Sequence, residues 1–149
     1  DLVGEVVSEA AAAADAAGVT LDLELANAFV SGDAVLLRSL VSNLVANAIS
    51  YNHSGGSVTI TLTFDHAAKS AELVVNNTGR HLATDEVDNL IHPFARADIE
   101  RQRVAGSGIG MAVVTAVAAA HHGSFAAQPR TGGGLVARVV LPAMDSYGP

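Results

Sequence analysis

The sequence contains no cysteine. That excludes a disulfide framework, a thiolate zinc site and a thiol nucleophile, and it fits a cytosolic compartment. Cations are scarce, with 8 Lys and Arg against 15 Asp and Glu and a formal net charge of −7. Proteins that hold a phosphate backbone concentrate Lys and Arg on one face, so no nucleic acid is expected as the main partner. Any anion this chain binds must be held locally, by backbone amides, a metal ion or a few placed arginines. Long apolar runs are missing as well. The longest, Ile109 to Ala120, ends at His121 and His122, short of the roughly 20 residues that cross a bilayer. The first residues, Asp-Leu-Val-Gly-Glu, carry neither an initiator Met nor a basic-then-apolar signal, and they read as a boundary inside a longer protein. His53, His66, His81, His92, His121 and His122 form no H-x-x-x-H pair and no accompanying carboxylate motif, so none reads as a metal site.

What is present is a chain of 149 residues, half of them apolar and 15% charged, which is the size and make-up of one folded domain. Residues 2–17 are Ala-rich with apolar residues at helical spacing, and Gly18 supplies the stop. Val19 to Leu25 alternates with period two, as a half-buried strand does. Asp33 can cap a helix whose apolar set, Leu36, Leu37, Leu40, Val41, Leu44, Val45 and Ala48, recurs at three and four residues up to about Tyr51. Ser57 to Phe64 and Ala71 to Val75 make two antiparallel strands around a hairpin loop. A short helix from Thr84 to Ile91, capped by Thr84, interrupts a long loop. A further helix runs from Ile109 to His121, and Ser124 to Gln128 with Leu135 to Leu141 form a last hairpin across PRTGGG. This order predicts a two-layer α+β sandwich, a mixed, mostly antiparallel sheet covered on one face by helices.

Three groups of residues carry chemistry. Asn43 and Asn47 lie one turn apart on the same helix face, where two carboxamides suit a shared ligand; a carboxamide oxygen is a neutral hard donor for Mg²⁺. Asn pairs also serve simply to face solvent or satisfy a loop. Gly106, Gly108 and Gly110 in GSGIGM precede a helix, where free amides and the helix dipole favour an anion and absent side chains let a phosphate approach. The same glycines would serve as a hinge, and their spacing is not that of the dinucleotide fingerprint or the P-loop. Asn77-Thr78-Gly79 follows a strand as a turn, where a polar side chain could read a base edge.

Taken in this order, the groups resemble the nucleotide-binding domain of sensor histidine kinases, in the wider family that includes gyrase, Hsp90 and MutL. The resemblance runs from about Asp33 to Leu141. NLVANAISYN is similar to the N box, Asn77 to Gly79 to the first glycine box, HPF with Phe94 to the F box, and GSGIGM to the second glycine box. It implies a Bergerat-type fold with a left-handed βαβ unit, and ATP between the N-box helix and a lid at about Ala95 to Ser107. It also implies Asn47 on Mg²⁺, Asn43 beside it near the phosphates, and Tyr51 as an apolar platform against adenine. Ser50, Asn77, Gly79, Gly106, Gly108, Ile109, Gly110 and Met111 complete the nucleotide-binding set. Arg101 or Arg103 would reach the γ-phosphate, and Phe94 would anchor the base of the lid. Three positions depart from the family. Asn77 stands where an Asp accepts from the adenine amino group, His81 where a second Gly is usual, and Ser50 where Lys or Arg is common.

The resemblance implies a protein-histidine kinase. Mg-ATP bound here would give its γ-phosphoryl group to a histidine on a separate dimerisation domain, and a response regulator would receive it next. The domain alone is expected to be a monomer, its parent a homodimer anchored in the cell membrane with this part in the cytoplasm. A gyrase- or Hsp90-type hydrolase would need a water-activating Glu at the position of Asn43, which cannot act as a base. A non-catalytic nucleotide-sensing module is the third reading, motivated by Asn77, His81 and Ser50.

Overall fold

The structure, a computed structural model, describes residues 1–91 and 108–144. The lid expectation, with Phe94, Arg101, Arg103 and Gly106, falls outside the described residues. Helix α1 is Leu2–Ala17, started by the Asp1 carboxylate accepting from the Gly4 N–H and stopped by Gly18 at φ 72°. There the Gly18 N–H bonds to the carbonyls of Ala14 and Asp15, a left-handed turn that a side chain would strain. Strand β1, Thr20–Leu25, lies at a sheet edge. Helix α2 is Ala34–Ser50, and the Asp33 carboxylate caps it by accepting from the N–H groups of Val35 and Leu36 at 2.8 and 3.1 Å. Its apolar set is buried from Leu40 onward, whereas Leu36 is exposed, because the first turn of α2 projects past the edge of the core.

Strands β2, Ser57–Asp65, and β3, Ser70–Asn77, pair antiparallel. Helices α3, Thr84–Ile91, and α4, Gly108–Ala120, come next, followed by β4, Ser124–Pro129, and β5, Leu135–Pro142. The five strands form one sheet in the order β1-β2-β3-β5-β4, with β1 parallel to β2 across the α2 crossover and the other pairs antiparallel. Period-two alternation sends Val58 and Ile60 of β2, Ala71, Leu73 and Val75 of β3, and Leu135, Ala137, Val139 and Leu141 of β5 to one face. There they meet Leu40, Leu44 and Ala48 of α2 and Met111, Val114 and Val117 of α4 in a single core. Each Val, Leu, Ile or Met among them contributes about 1.5–3 kcal/mol on burial, so the face toward the helices is strongly specified. The two-layer α+β expectation holds.

Two boundaries differ from expectation. β3 runs on through Asn76 and Asn77, because both remain in register with β2 and β5, where Asn77 stands between Val58 and Leu135. Asn77 is therefore a strand residue and not part of a turn. At α3, the residue before the helix is Ala83, not Thr84. The Ala83 carbonyl accepts from the Val87 N–H, and its own N–H donates to the Glu86 carboxylate at 3.1 Å. Thr84 is thus the first helical residue, and Glu86 alone supplies the side-chain half of the cap.

Candidate functional site

Among the described residues, two polar side chains are buried, and both belong to the set expected to hold a nucleotide: Asn47 at 7% exposure and Asn77 at 2%. Asn77 occupies the end of the core-facing row of β3 after Ala71, Leu73 and Val75, where the alternation calls for an apolar residue. Its Nδ2 donates to the Thr78 carbonyl at 2.8 Å. Asn47 sits in the last turns of α2, flanked by the buried Leu44 and Ala48, and its Nδ2 has no hydrogen-bond partner. An orphaned buried donor costs about 1–3 kcal/mol, so a folded chain rarely keeps one without a use.

The ends of α2 and β3 are brought together by backbone and side-chain contacts. Tyr51 closes α2, its N–H donating to the Asn47 carbonyl at 2.9 Å, and its ring is half-buried. A Cβ at Gly79 would lie 2.5 Å from the Tyr51 carbonyl oxygen, a contact that only glycine permits. The Thr78 hydroxyl donates to Asn52 Oδ1 at 2.7 Å and accepts from the Ser57 N–H at 2.9 Å, while Asn52 Nδ2 donates to the Ser57 carbonyl at 2.9 Å. This closed set of bonds ties the α2–β2 turn to the end of β3. Behind it lies the β4–β5 turn, with Gly132, Gly133 and Gly134 at φ 89°, 108° and 106°. A Cβ on Gly134 would overlap the Asn77 carbonyl and one on Gly133 that of Gly79, so the turn presses directly on the loop. Arg130 fastens the same turn by donating from Nε to Asn76 Oδ1 at 2.9 Å.

The remaining expected residues divide. Asn43 is half-buried, with Nδ2 donating to the Ser39 carbonyl at 2.7 Å and lying 3.3 Å from its hydroxyl, which leaves Oδ1 as the uncommitted end. Ser50 is exposed, one turn beyond Asn47 at the end of α2, and borders a hollow between α1 and α2 with Glu9 and Ala46. Met111 is a fully buried core residue of α4. Gly108, Ile109 and Gly110 form the first turn of α4, so the helix begins one residue earlier than expected. Asn52 and Ser57 carry no role in the sequence reading, Thr78 only the middle of a turn and Gly132–Gly134 only the connection of the last hairpin. No cluster of three or more His, Asp or Glu that could hold a metal occurs among the described residues, so a metal here would rely on carboxamides and the nucleotide. The Ala83 N–H, and then Arg80, hold the Glu86 carboxyl below the usual range.

This geometry agrees with comparison to known proteins. Residues 32–145 match the profile of the family described as histidine kinase-, DNA gyrase B-, and HSP90-like ATPase, and the chain belongs to that family. The chain is 41% identical over 144 residues to the sensor protein CutS of Streptomyces coelicolor, a match covering 95% of this chain and 34% of the relative. It thus spans about a third of the length of such curated relatives. In fold, it is similar to the mycobacterial sensor histidine kinase MprB, with a TM-score of 0.82, 22% identity and coverage of 97% of this chain and 94% of that one. The catalytic domain of the histidine kinase ThkA superposes with a TM-score of 0.78 and 20% identity, over 95% of this chain and 90% of that one.

Proposed function

We propose that the chain binds Mg-ATP where α2 meets the end of β3 and presents the γ-phosphoryl group to a histidine on a separate dimerisation domain of the same sensor kinase, from which a response regulator receives it. The observation that carries this reading is the pair of buried carboxamides, Asn47 and Asn77, among the otherwise apolar buried residues of α2 and β3, with Asn47 Nδ2 left without a partner. Mg²⁺ fits this site through carboxamide oxygen, and when bound it neutralises charge on the phosphates. A half-turn of the Asn47 amide exchanges its nitrogen and oxygen, so either a phosphate oxygen or a metal would satisfy the end now orphaned. Asn43, with Oδ1 uncommitted, lies one turn earlier on the same helix. It has no proton-accepting side chain of useful basicity, which favours transfer to a positioned histidine over hydrolysis.

At the other end, Asn77 Oδ1 is an acceptor for the adenine amino group and Tyr51 offers an aromatic surface. Being neutral, Asn77 binds that donor less strongly than a carboxylate would. Arg101 or Arg103 and the glycines of GSGIGM complete the reading, with the arginines stabilising charge on the transferring phosphoryl group. On this reading the parent is a membrane-anchored homodimer. No helix among the described residues is long and apolar enough to cross a membrane, so such an anchor would lie elsewhere in the parent. The test joins this chain to the upstream helical region of its parent and supplies ATP labelled at the γ-position. Acid-labile protein-bound phosphate is expected. ATP binding without any such phosphate overturns the transfer step and leaves a nucleotide-sensing module.

A further inference from the structure

His121 lies just beyond the last turn of α4, and both of its ring nitrogens are engaged. Nδ1 is 2.8 Å from the Val117 carbonyl, and Nε2 is 3.1 Å from the backbone nitrogen of Asp33. A carbonyl can only accept and a backbone N–H can only donate. The ring is therefore the neutral tautomer with its proton on Nδ1, and the bare Nε2 accepts from Asp33. The fit is close, since a Cβ on Gly32 would overlap the ring at Cδ2 and Nε2.

Asp33 is the residue that starts α2: its carbonyl accepts from the Leu37 N–H at 2.9 Å and its carboxylate from the N–H groups of Val35 and Leu36. The end of α4 thus meets the beginning of α2. The two helices pack side by side, so they run antiparallel, and the first turn of α4, Gly108–Met111, lies toward the last turns of α2, where Asn47 and Tyr51 stand. Apolar contacts among side chains such as Leu44 and Val114 resist separation but are non-directional along the helix axes. The His121 bonds are directional. They fix how far α2 is slid along α4, and hence where Asn47 sits relative to the glycine-rich start of α4.

We propose that His121 is a positioning residue for nucleotide binding, setting the lengthwise register of α2 against α4 from the end remote from Asn47, and that it does so only as the neutral ring. A proton on Nε2 would set N–H against N–H and release Asp33. Of the ionisable residues, Asp33 meets the ring through its backbone N–H and His122 follows it in the chain. The bonds from Val35 and Leu36 both fall on Asp33 Oδ1, so a carboxylate that swung toward a charged ring would loosen the start of α2. The inference rests on the nucleotide site proposed above.

Mg-ATP affinity of this chain, measured by calorimetry, tests it in three variants. His121→Ala should weaken binding by about tenfold, since small misplacements in such sites are costly. His121→Gln, whose Oε1 can replace Nε2 as the acceptor, should recover affinity to within about twofold, as a restored hydrogen bond predicts. Long-range ¹H–¹⁵N correlation of the unmodified chain should show Nε2 without a proton. A protonated Nε2 at neutral pH, full affinity in the Ala variant, or an H121Q variant as weak as H121A would each overturn the proposal. Asn47→Ala is the control: if it retains full affinity the nucleotide site itself is wrongly assigned, whereas if it loses binding while the His121 variants do not, only the register role fails.

Discussion

Asn47→Ala separates folding from binding in one substitution. In most buried settings an Asn→Ala change destabilises, because a partner is left behind. Here Nδ2 has no partner to leave, and relieving an orphaned donor returns about 1–3 kcal/mol. Alanine in place of asparagine inside a helix adds up to about 0.7 kcal/mol. The void left by the carboxamide opposes both, at roughly 24 cal/mol per Å3 of cavity that does not collapse, or on the order of 1 kcal/mol for so small a group. The balance predicts a nucleotide-free protein more stable by about 1 kcal/mol, a rise in melting temperature of about 2–4 °C for a chain of this length. With Mg-ATP at a hundred times its dissociation constant the order should reverse, because the unmodified chain gains about 2.7 kcal/mol by mass action and the variant gains little. Thermal unfolding followed by circular dichroism, with and without Mg-ATP, reads both effects. A variant less stable than the parent by 1 kcal/mol or more without nucleotide, or one with an undiminished shift on adding Mg-ATP, would refute the reasoning.

Gly134→Ala should lower stability by more than about 1 kcal/mol, since the residue holds φ 106° and a Cβ would overlap the Asn77 carbonyl; urea unfolding checks this, and ATP affinity should fall with it. Thr78→Val removes the hydroxyl that serves Asn52 and the Ser57 N–H, and should cost about 1–3 kcal/mol in the same assay. Glu86 has a folded-state pKa below its unfolded value, so its contribution is full at neutral pH and disappears as the pH falls through the folded value. Glu86→Gln should therefore flatten the acid limb of the stability profile. Arg38 pairs with Glu5 and Glu9 at 2.7 and 2.9 Å on an exposed surface, so Arg38→Met should change stability by less than about 1 kcal/mol, and by less again at high salt.

The sheet and helices were legible because their signals are local. The repeat from Leu40 to Ala48 and the alternation from Ser57 to Phe64 each specify an element and its buried face. Asn47 was legible for a related reason, as a polar residue one turn from another within an apolar helix. The end of β3 was not, because Asn76 and Asn77 have turn propensity and are held extended only by partners on both sides, Val58 and Leu135 among them. The Ala83 cap escaped notice since alanine offers no side-chain acceptor and the reciprocal bond comes from Glu86. The Asn52–Thr78 link and the His121–Asp33 bond join residues 26 and 88 positions apart, and no periodicity encodes such a pairing.

The strand order has a bearing on how such domains vary in length. β3 takes β5 as its neighbour, and β4 is added outside β5, so the frame of three central strands closes without a ladder contribution from the described residues between Gly79 and Gly123. That stretch leaves at the end of β3 and rejoins at the outermost strand. Within it α3 and α4 carry core residues such as Val87, Met111 and Val114, so those helices must keep their place, but residues added or removed outside the two helices leave the strand pairing as it is. Insertion of a small reporter domain outside α3 and α4 should accordingly leave the sheet unaltered.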